Sequence, residues 1–319
     1  MKKILITCDT EALDFPLHNK SPRINIFGDI SGVCKSMGIH KIINIVDKIN
    51  KKVLFFYDVC TEYSYPGISK EVRDVIIGAG HDLEMHAHIE HITDDRWGLW
   101  GYKKPLFAIN YFNDEAAKVF LEPLIELFTQ EIGYHPSAFR AGAWRYSSGI
   151  INALNEFNIP FSFNYYPETT LRASFPHGID AGPQKIFKWE NGIIEVPTGV
   201  ITGPNIFSSS SKYYGFESHR LRSWKNYYDY IKASIEKLPE IETLVLVMHS
   251  WSFLNRKDPN NIFLDQDLLD AFEEFVTSKS ELYEIISYND LRESLKERDL
   301  KSVPVNFSGF GNSSLTPLT

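Results

Sequence analysis

Apolar residues in this chain fall into short continuous runs that alternate with stretches of helical spacing. Residues 3–7, 53–57 and 243–248, built on the apolar runs 4–6, 53–57 and 244–248, read as buried strands. Residues 81–85, 137–140, 161–163 and 283–286 read as shorter strands. Between them lie helical patterns. Residues 40–49 place Ile42, Ile43, Ile45 and Val46 on one face, and residues 69–77 run into the stop Gly78-Ala79-Gly80. Residues 113–128 form a long pattern with Asn113 as its cap. Further helices are expected at 147–157, 223–237, 265–277 and 289–296. Residues 186–189 and 193–196 flank Glu190-Asn191-Gly192, a hairpin signal.

Repeated βα units imply a parallel sheet, and about seven of them in one chain favour a closed or nearly closed barrel. Two segments break the rhythm. Residues 91–110 carry Trp97, Trp100, Tyr102 and Phe107; residues 203–216 carry a serine run and two tyrosines. Long loops in a compact barrel tend to be functional. Residues 301–319 lack periodicity and read as a wrap or a frayed end, so residues 1–300 are expected to form one catalytic barrel.

Composition narrows the classes. A chain of 319 residues with 43% hydrophobic and 23% charged residues is an ordinary globular protein. A formal net charge of -8 argues against a nucleic-acid groove. Cys8, Cys34 and Cys60 are too few and too scattered for a disulfide framework. The start Met1-Lys2-Lys3 looks like the opening of a leader, but the apolar run behind it ends at Ile6, and no apolar run approaches the roughly 18 residues of a membrane span. A cytoplasmic location is expected.

The placement of polar residues carries the functional signal. Each notable group follows an apolar strand, and parallel α/β folds gather those strand ends on one face. Asp9-Thr10-Glu11 puts two carboxylates on one side of extended backbone, a poor choice for a core and a good one for a metal or an acid–base pair. The bland alternative is a solvated turn. His86-Ala87-His88, with His91 close by, concentrates three of the ten histidines in six residues, and neutral imidazole suits zinc and other divalent metals. Arg140 in Phe139-Arg140-Ala141-Gly142-Ala143-Trp144 needs a carboxylate partner if it is buried, and Asp9 is the natural candidate. His249 ends the most apolar strand, placed to act as a general acid or base. Trp251 beside it, like Trp144, can stack on a sugar ring or simply pack.

The order of these groups resembles the polysaccharide deacetylase superfamily, carbohydrate esterase family 4. The resemblance runs from Lys3 to Leu295. Thr7-Cys8-Asp9-Thr10-Glu11 stands where the family has Thr-Phe-Asp-Asp-Gly. Gly80-His81-Asp82-Leu83-Glu84-Met85-His86 is similar to its Gly-His-Glu-Ile-Gly-x-His. Phe139 to Trp144 is similar to its Arg-x-Pro-aromatic motif, and Leu244 to His249 to its final Leu-x-x-x-x-His strand. Two departures stand out. The second carboxylate, Glu11, comes one residue late, and Glu90 occupies the place of the family's second histidine. Asp-x-Glu with His-x-His and Phe-Arg-Ala-Gly-x-Trp is closer to a branch found in bacterial surface-polysaccharide and O-antigen loci.

The resemblance implies a distorted (β/α)7 barrel holding one divalent metal ion, zinc by preference. It implies removal of an N-acetyl group from an amino sugar carried on a nucleotide, a lipid-linked glycan or an oligosaccharide. Asp9, Arg140 and His249 are then the catalytic group, Glu11, His86 and His88 the metal ligands, and Trp144 and Trp251 substrate contacts. Asp9 and Glu11 can exchange roles, and His91 can replace His88. Two other readings stay open: hydrolysis of a non-sugar amide such as a formamide or ureide, and a carbohydrate-binding barrel without catalysis.

Overall fold

A computed structural model of the protein describes residues 1–12, 21–165, 185–198, 200–201, 214–215, 232, 241–255, 262–305 and 311–318. The helix expected at 223–237 and most of the loop at 203–216 lie outside the described residues. The described strands, in chain order, are β1 (Lys2–Thr10), β2 (Leu54–Asp58), β3 (Asp82–Ala87), β4 (Ala138–Ala141), β5 (Phe161–Ser162), β6 (Phe187–Trp189), β7 (Ile194–Glu195), β8 (Val200–Ile201), β9 (Tyr214–Gly215), β10 (Thr243–His249), β11 (Leu254–Asn255), β12 (Phe263–Leu264), β13 (Tyr283–Ile286) and β14 (Ser302–Val303). The fold is mixed α/β with mostly parallel strand pairing. The chain divides into two compact units, one of residues 1–57, 71–83 and 198–298, the other of residues 58–70, 84–197 and 299–319.

In the first unit β1 is the central strand. It pairs in parallel with β10 from Lys3↔Thr243 to Asp9↔His249, with β13 along Lys2 to Leu5, and with β2 along Thr7 to Thr10. Seven consecutive residues of β1, Ile4 to Thr10, are buried, which is why its sequence is an apolar run rather than an alternation. The Ile39–Asp47 helix buries Ile39, Ile42, Ile43, Ile45 and Val46, the stripe its spacing predicts. The Gln266–Thr277 helix begins at Asp265, whose side chain accepts the Leu268 N–H, and it buries Leu268, Leu269, Phe272, Phe275 and Val276. The Tyr288–Leu295 helix starts with a capping box built by Ser287 and Asp290.

In the second unit β3 pairs with β4, β4 with β5, and β5 with β7, all in parallel. β6 and β7 form the antiparallel hairpin expected around Asn191-Gly192. The long helix runs Asp114–Ile132, with Asn113 capping the Ala116 N–H at 2.9 Å. It extends one turn beyond the expected end at Phe128. The stop is Gly133, whose φ of 96° is comfortable only for glycine, and Ile132 is buried just before it. Residues 91–110 are not irregular throughout: they contain the Asp94–Leu99 helix, capped by Thr93, and Trp97 is fully buried. The terminal segment supplies β14, which pairs with β6 at Ser302↔Lys188 and Val303↔Trp189, and it forms further bridges at Phe112↔Ser313 and Tyr102↔Pro317.

Candidate functional site

The ladder of the first unit brings two distant parts of the sequence to one level. Asp9 pairs directly with His249 across β1 and β10. Glu11 follows two residues on, and alternation along extended backbone turns it to the same side as Asp9. Asp9 (3% exposed) and Glu11 (6% exposed) are both buried, and ligand atoms of Asp9, Glu11 and His249 all lie within 4.8 Å of one another. Two carboxylates this close, away from water, repel one another unless a proton or a cation lies between them. With an imidazole in the same group, the donor set fits a hard or borderline divalent ion.

The turn after β10 is tied down. The Ser250 N–H donates to the Asp9 carbonyl at 2.9 Å, the Ser250 hydroxyl to the Asn25 carbonyl at 2.6 Å, and the Asn25 amide to the Ala12 carbonyl at 2.7 Å. The His249 N–H donates to the Ser252 hydroxyl at 2.9 Å, and the Trp251 ring stacks on the His249 ring at 4.6 Å between centroids. Trp251 therefore restricts the swing of His249, whatever else it touches.

The second unit holds the histidines and the arginine. His86 pairs with Arg140 across β3 and β4. His86 is buried, and its Nδ1 lies 2.7 Å from the Arg140 carbonyl. A carbonyl only accepts, so Nδ1 carries the hydrogen and the lone pair of neutral His86 sits on Nε2, the arrangement typical of a metal ligand. His88 has its Nδ1 3.5 Å from the Glu90 carboxylate, which favours the same tautomer. Burial pushes the Glu90 carboxyl up, but the bond and charge of His88, with Arg145 at 2.5 Å, hold it down at about 2. The rings of His86 and His88 lie 5.0 Å apart and are inclined by 80°.

Arg140 is fully buried, with its guanidinium carbon 5.7 Å from the centre of the Phe163 ring. Its strand is pinned at both ends. The Glu84 carboxylate accepts the Ser137 N–H at 2.7 Å and the Ala138 N–H at 2.9 Å. The Asn164 side chain accepts the Ala141 N–H at 2.6 Å, and buried Glu195 in turn accepts the Asn164 and Tyr165 N–H groups, each at 2.7 Å. Glu195 also accepts the Trp189 indole N–H at 3.0 Å. Burial pushes the Glu195 carboxyl above the usual range despite these donors.

Beyond β4 the backbone is strained: Ala143 and Trp144 have φ of 53° and 52°, a region that costs L-residues about 1–2 kcal/mol each. Trp144 is half-buried in this turn. Gly142 precedes it, and a Cβ there would fall 2.4 Å from Nδ1 of His88. Burial and the neighbouring Asp58 push the Cys60 thiol well up, so it is no nucleophile at neutral pH.

Two residues escaped the sequence reading, Asp58 and Glu195, and Gly142 entered it only as a member of the Phe139–Trp144 motif. Asp58 ends β2, completely buried, and pairs with His91. Its signal was available, because a carboxylate closing an apolar run is the same pattern that singled out Asp9.

No family model matches the chain, and no curated protein matches it. Solved structures do. A candidate polysaccharide deacetylase from Mycobacterium smegmatis is similar at 15% identity and a TM-score of 0.53, over 94% of this chain and 92% of that one. The allantoinase Puue is similar at 12% identity and a TM-score of 0.52, over 93% and 92%. The α-amylase AmyC from Thermotoga maritima reaches 0.50 at 8% identity, over 98% of this chain and 78% of its own. At such identities the likeness concerns the fold: the chain has the mixed α/β, barrel-like fold of the deacetylase type.

Proposed function

We propose that this protein is a metal-dependent hydrolase that removes an N-acyl group, an acetyl, from an amino sugar during assembly of a surface polysaccharide. The observation that carries the reading is the group of buried Asp9 and Glu11 with half-buried His249 at the ends of β1 and β10. The tautomer of His86 and the shared deacetylase fold support it. In this reading Glu11, His86 and His88 hold one divalent ion, zinc by donor type. Bound there, the ion supplies Lewis acidity toward the amide carbonyl and a lowered pKa for the attacking water.

The chain's own residues do the rest. Asp9 takes the proton of the water as it adds to the amide carbon. Arg140 balances the charge of Asp9. His249 delivers a proton to the nitrogen as the C–N bond breaks, leaving a free amine and a carboxylate. Trp144 and Trp251 offer faces for a sugar ring. Among the described residues no helix is long and apolar enough to cross a membrane. A cytoplasmic enzyme acting on a nucleotide-linked or lipid-linked sugar is part of the proposal.

A second reading is hydrolysis of a ureide or another non-sugar amide, favoured by the near-equal likeness to an allantoinase. One experiment separates the two. Protein stripped with a chelator and reloaded with zinc or cobalt is offered N-acetylated and N-formylated amino sugars, free and nucleotide-linked, and ureides. Metal-dependent amine release from the acetylated sugars is the expected result. Release from ureides alone selects the second reading, and no release with any ion sinks both.

A further inference from the structure

Asp58 is a fully buried carboxylate with a specific set of partners. One of its oxygens lies 3.3 Å from the Cys60 N–H and 3.3 Å from the His88 N–H, and the other meets Nδ1 of His91. A buried carboxylate is tolerated only when its charge is met in this way. Asp58 thus ties the end of β2 to both ends of the turn that runs from His88 to His91.

Ring geometry then distinguishes the histidines. An imidazole ligand needs the ion close to its own ring plane, about 2.0–2.1 Å from the nitrogen. The His88 and His91 rings are stacked, 4.6 Å apart and inclined by only 24°, so their planes do not meet within a bond length of either ring. One ion cannot serve both. The His86 and His88 planes cross at 80°, which allows a shared ion. Gly142 closes the other side of His88, because its missing Cβ leaves the space the ring occupies.

We infer that Asp58 is a positioning residue for the metal centre: through His91 and the His88 amide it locks the His88 ring for coordination and keeps His91 out of the ligand set. This rests on the metal reading above. Outer groups that orient a ligating histidine are typically worth ~10–100-fold in metal affinity.

The test uses cobalt(II) as the probe, added to metal-free full-length protein. Affinity is read by chelator competition and ligand field by the visible spectrum. Wild type should bind one equivalent. Asp58→Asn should bind about 10–100-fold more weakly. His91→Phe keeps a flat ring against His88 but loses the bond to Asp58. It should still bind one equivalent, with the wild-type band pattern. Wild-type affinity in Asp58→Asn overturns the inference, as does loss of stoichiometric cobalt or a changed band pattern in His91→Phe. If Asp58→Asn does not fold, as judged by circular dichroism, the His91→Phe result decides. Failure of wild type to bind cobalt at all is a different signature: it removes the metal reading and this inference with it.

Discussion

Replacing Gly142 by alanine adds one methyl group where the His88 ring already lies. That Cβ would be 2.4 Å from Nδ1, 2.6 Å from Cε1 and 2.6 Å from Cγ. Ordinary contacts need about 3.5–4.0 Å, so the ring must retreat by about 1 Å or more. Forcing a methyl into a packed site costs about 1–3 kcal/mol. The backbone itself does not object, because Gly142 is outside the left-handed region, and alanine at a compatible position gains about 0.4–1 kcal/mol from a stiffer unfolded chain. The signs therefore differ between backgrounds. Gly142→Ala should destabilise the wild type, yet be neutral or mildly stabilising when His88 is already alanine, giving a coupling of about 1–3 kcal/mol. Urea unfolding of the four proteins in the double-mutant cycle measures it without any assumption about function. Equal costs in the two backgrounds would refute the close approach as the reason for glycine here. If His88 also binds metal, the same displacement should lower activity about 10²-fold.

Other expectations concern different parts of the molecule. His249→Ala should leave metal stoichiometry intact while kcat falls about 10²–10⁴-fold, and an unaffected kcat would remove His249 from the chemistry. Glu195→Gln should cost about 1–3 kcal/mol, since its amide cannot accept from both backbone N–H groups and the Trp189 indole. A raised acid pKa means stability that is fully present below the unfolded value and lost as pH rises through the folded one. The gap in melting temperature between wild type and Glu195→Gln should therefore narrow as pH rises; a widening gap contradicts the burial argument. Deleting residues 301–319 strips β6 of its parallel partner and should lower the melting temperature, whereas an unchanged melt would show that β14 adds nothing.

The parts of the fold that were legible in the sequence share a physical cause. β1 and β10 are buried on both faces, so their residues form continuous apolar runs, and the polar groups that end them stand out by contrast. One helix cap was equally plain: Asn113 stands just ahead of a helix with an apolar stripe, whereas Asp265, expected as the first helical residue, is the cap of the Gln266–Thr277 helix. What was illegible depends on partners far away in sequence. The two residues of β14 carry no periodicity, and they are a strand only because Lys188 and Trp189 are beside them. Gly142 stands in the Phe139–Trp144 motif without a reason of its own in the sequence, and its reason appears only when His88 lies against it. Asp58 shows in the sequence as a carboxylate closing an apolar run, but its partner His91 comes 33 residues later in the chain and only the fold pairs them. The candidate ligands were visible as residue types at strand ends, and what holds them still was not.

The position of β1 has a consequence for how the protein is made. Its β10 partner spans Thr243–His249, and its β13 partner comes later still. Contacts of such long sequence separation form slowly, since a large loop must close before any of them is gained. On the ribosome the first strand emerges early and then waits, with an apolar, hydrogen-bonding edge unoccupied, until most of the chain has followed. Asp9 and His249 meet only at that late stage. A nascent or truncated chain therefore has Asp9 and Glu11 without His249, and the pairing of β10 with β1 is the step that first brings the three together.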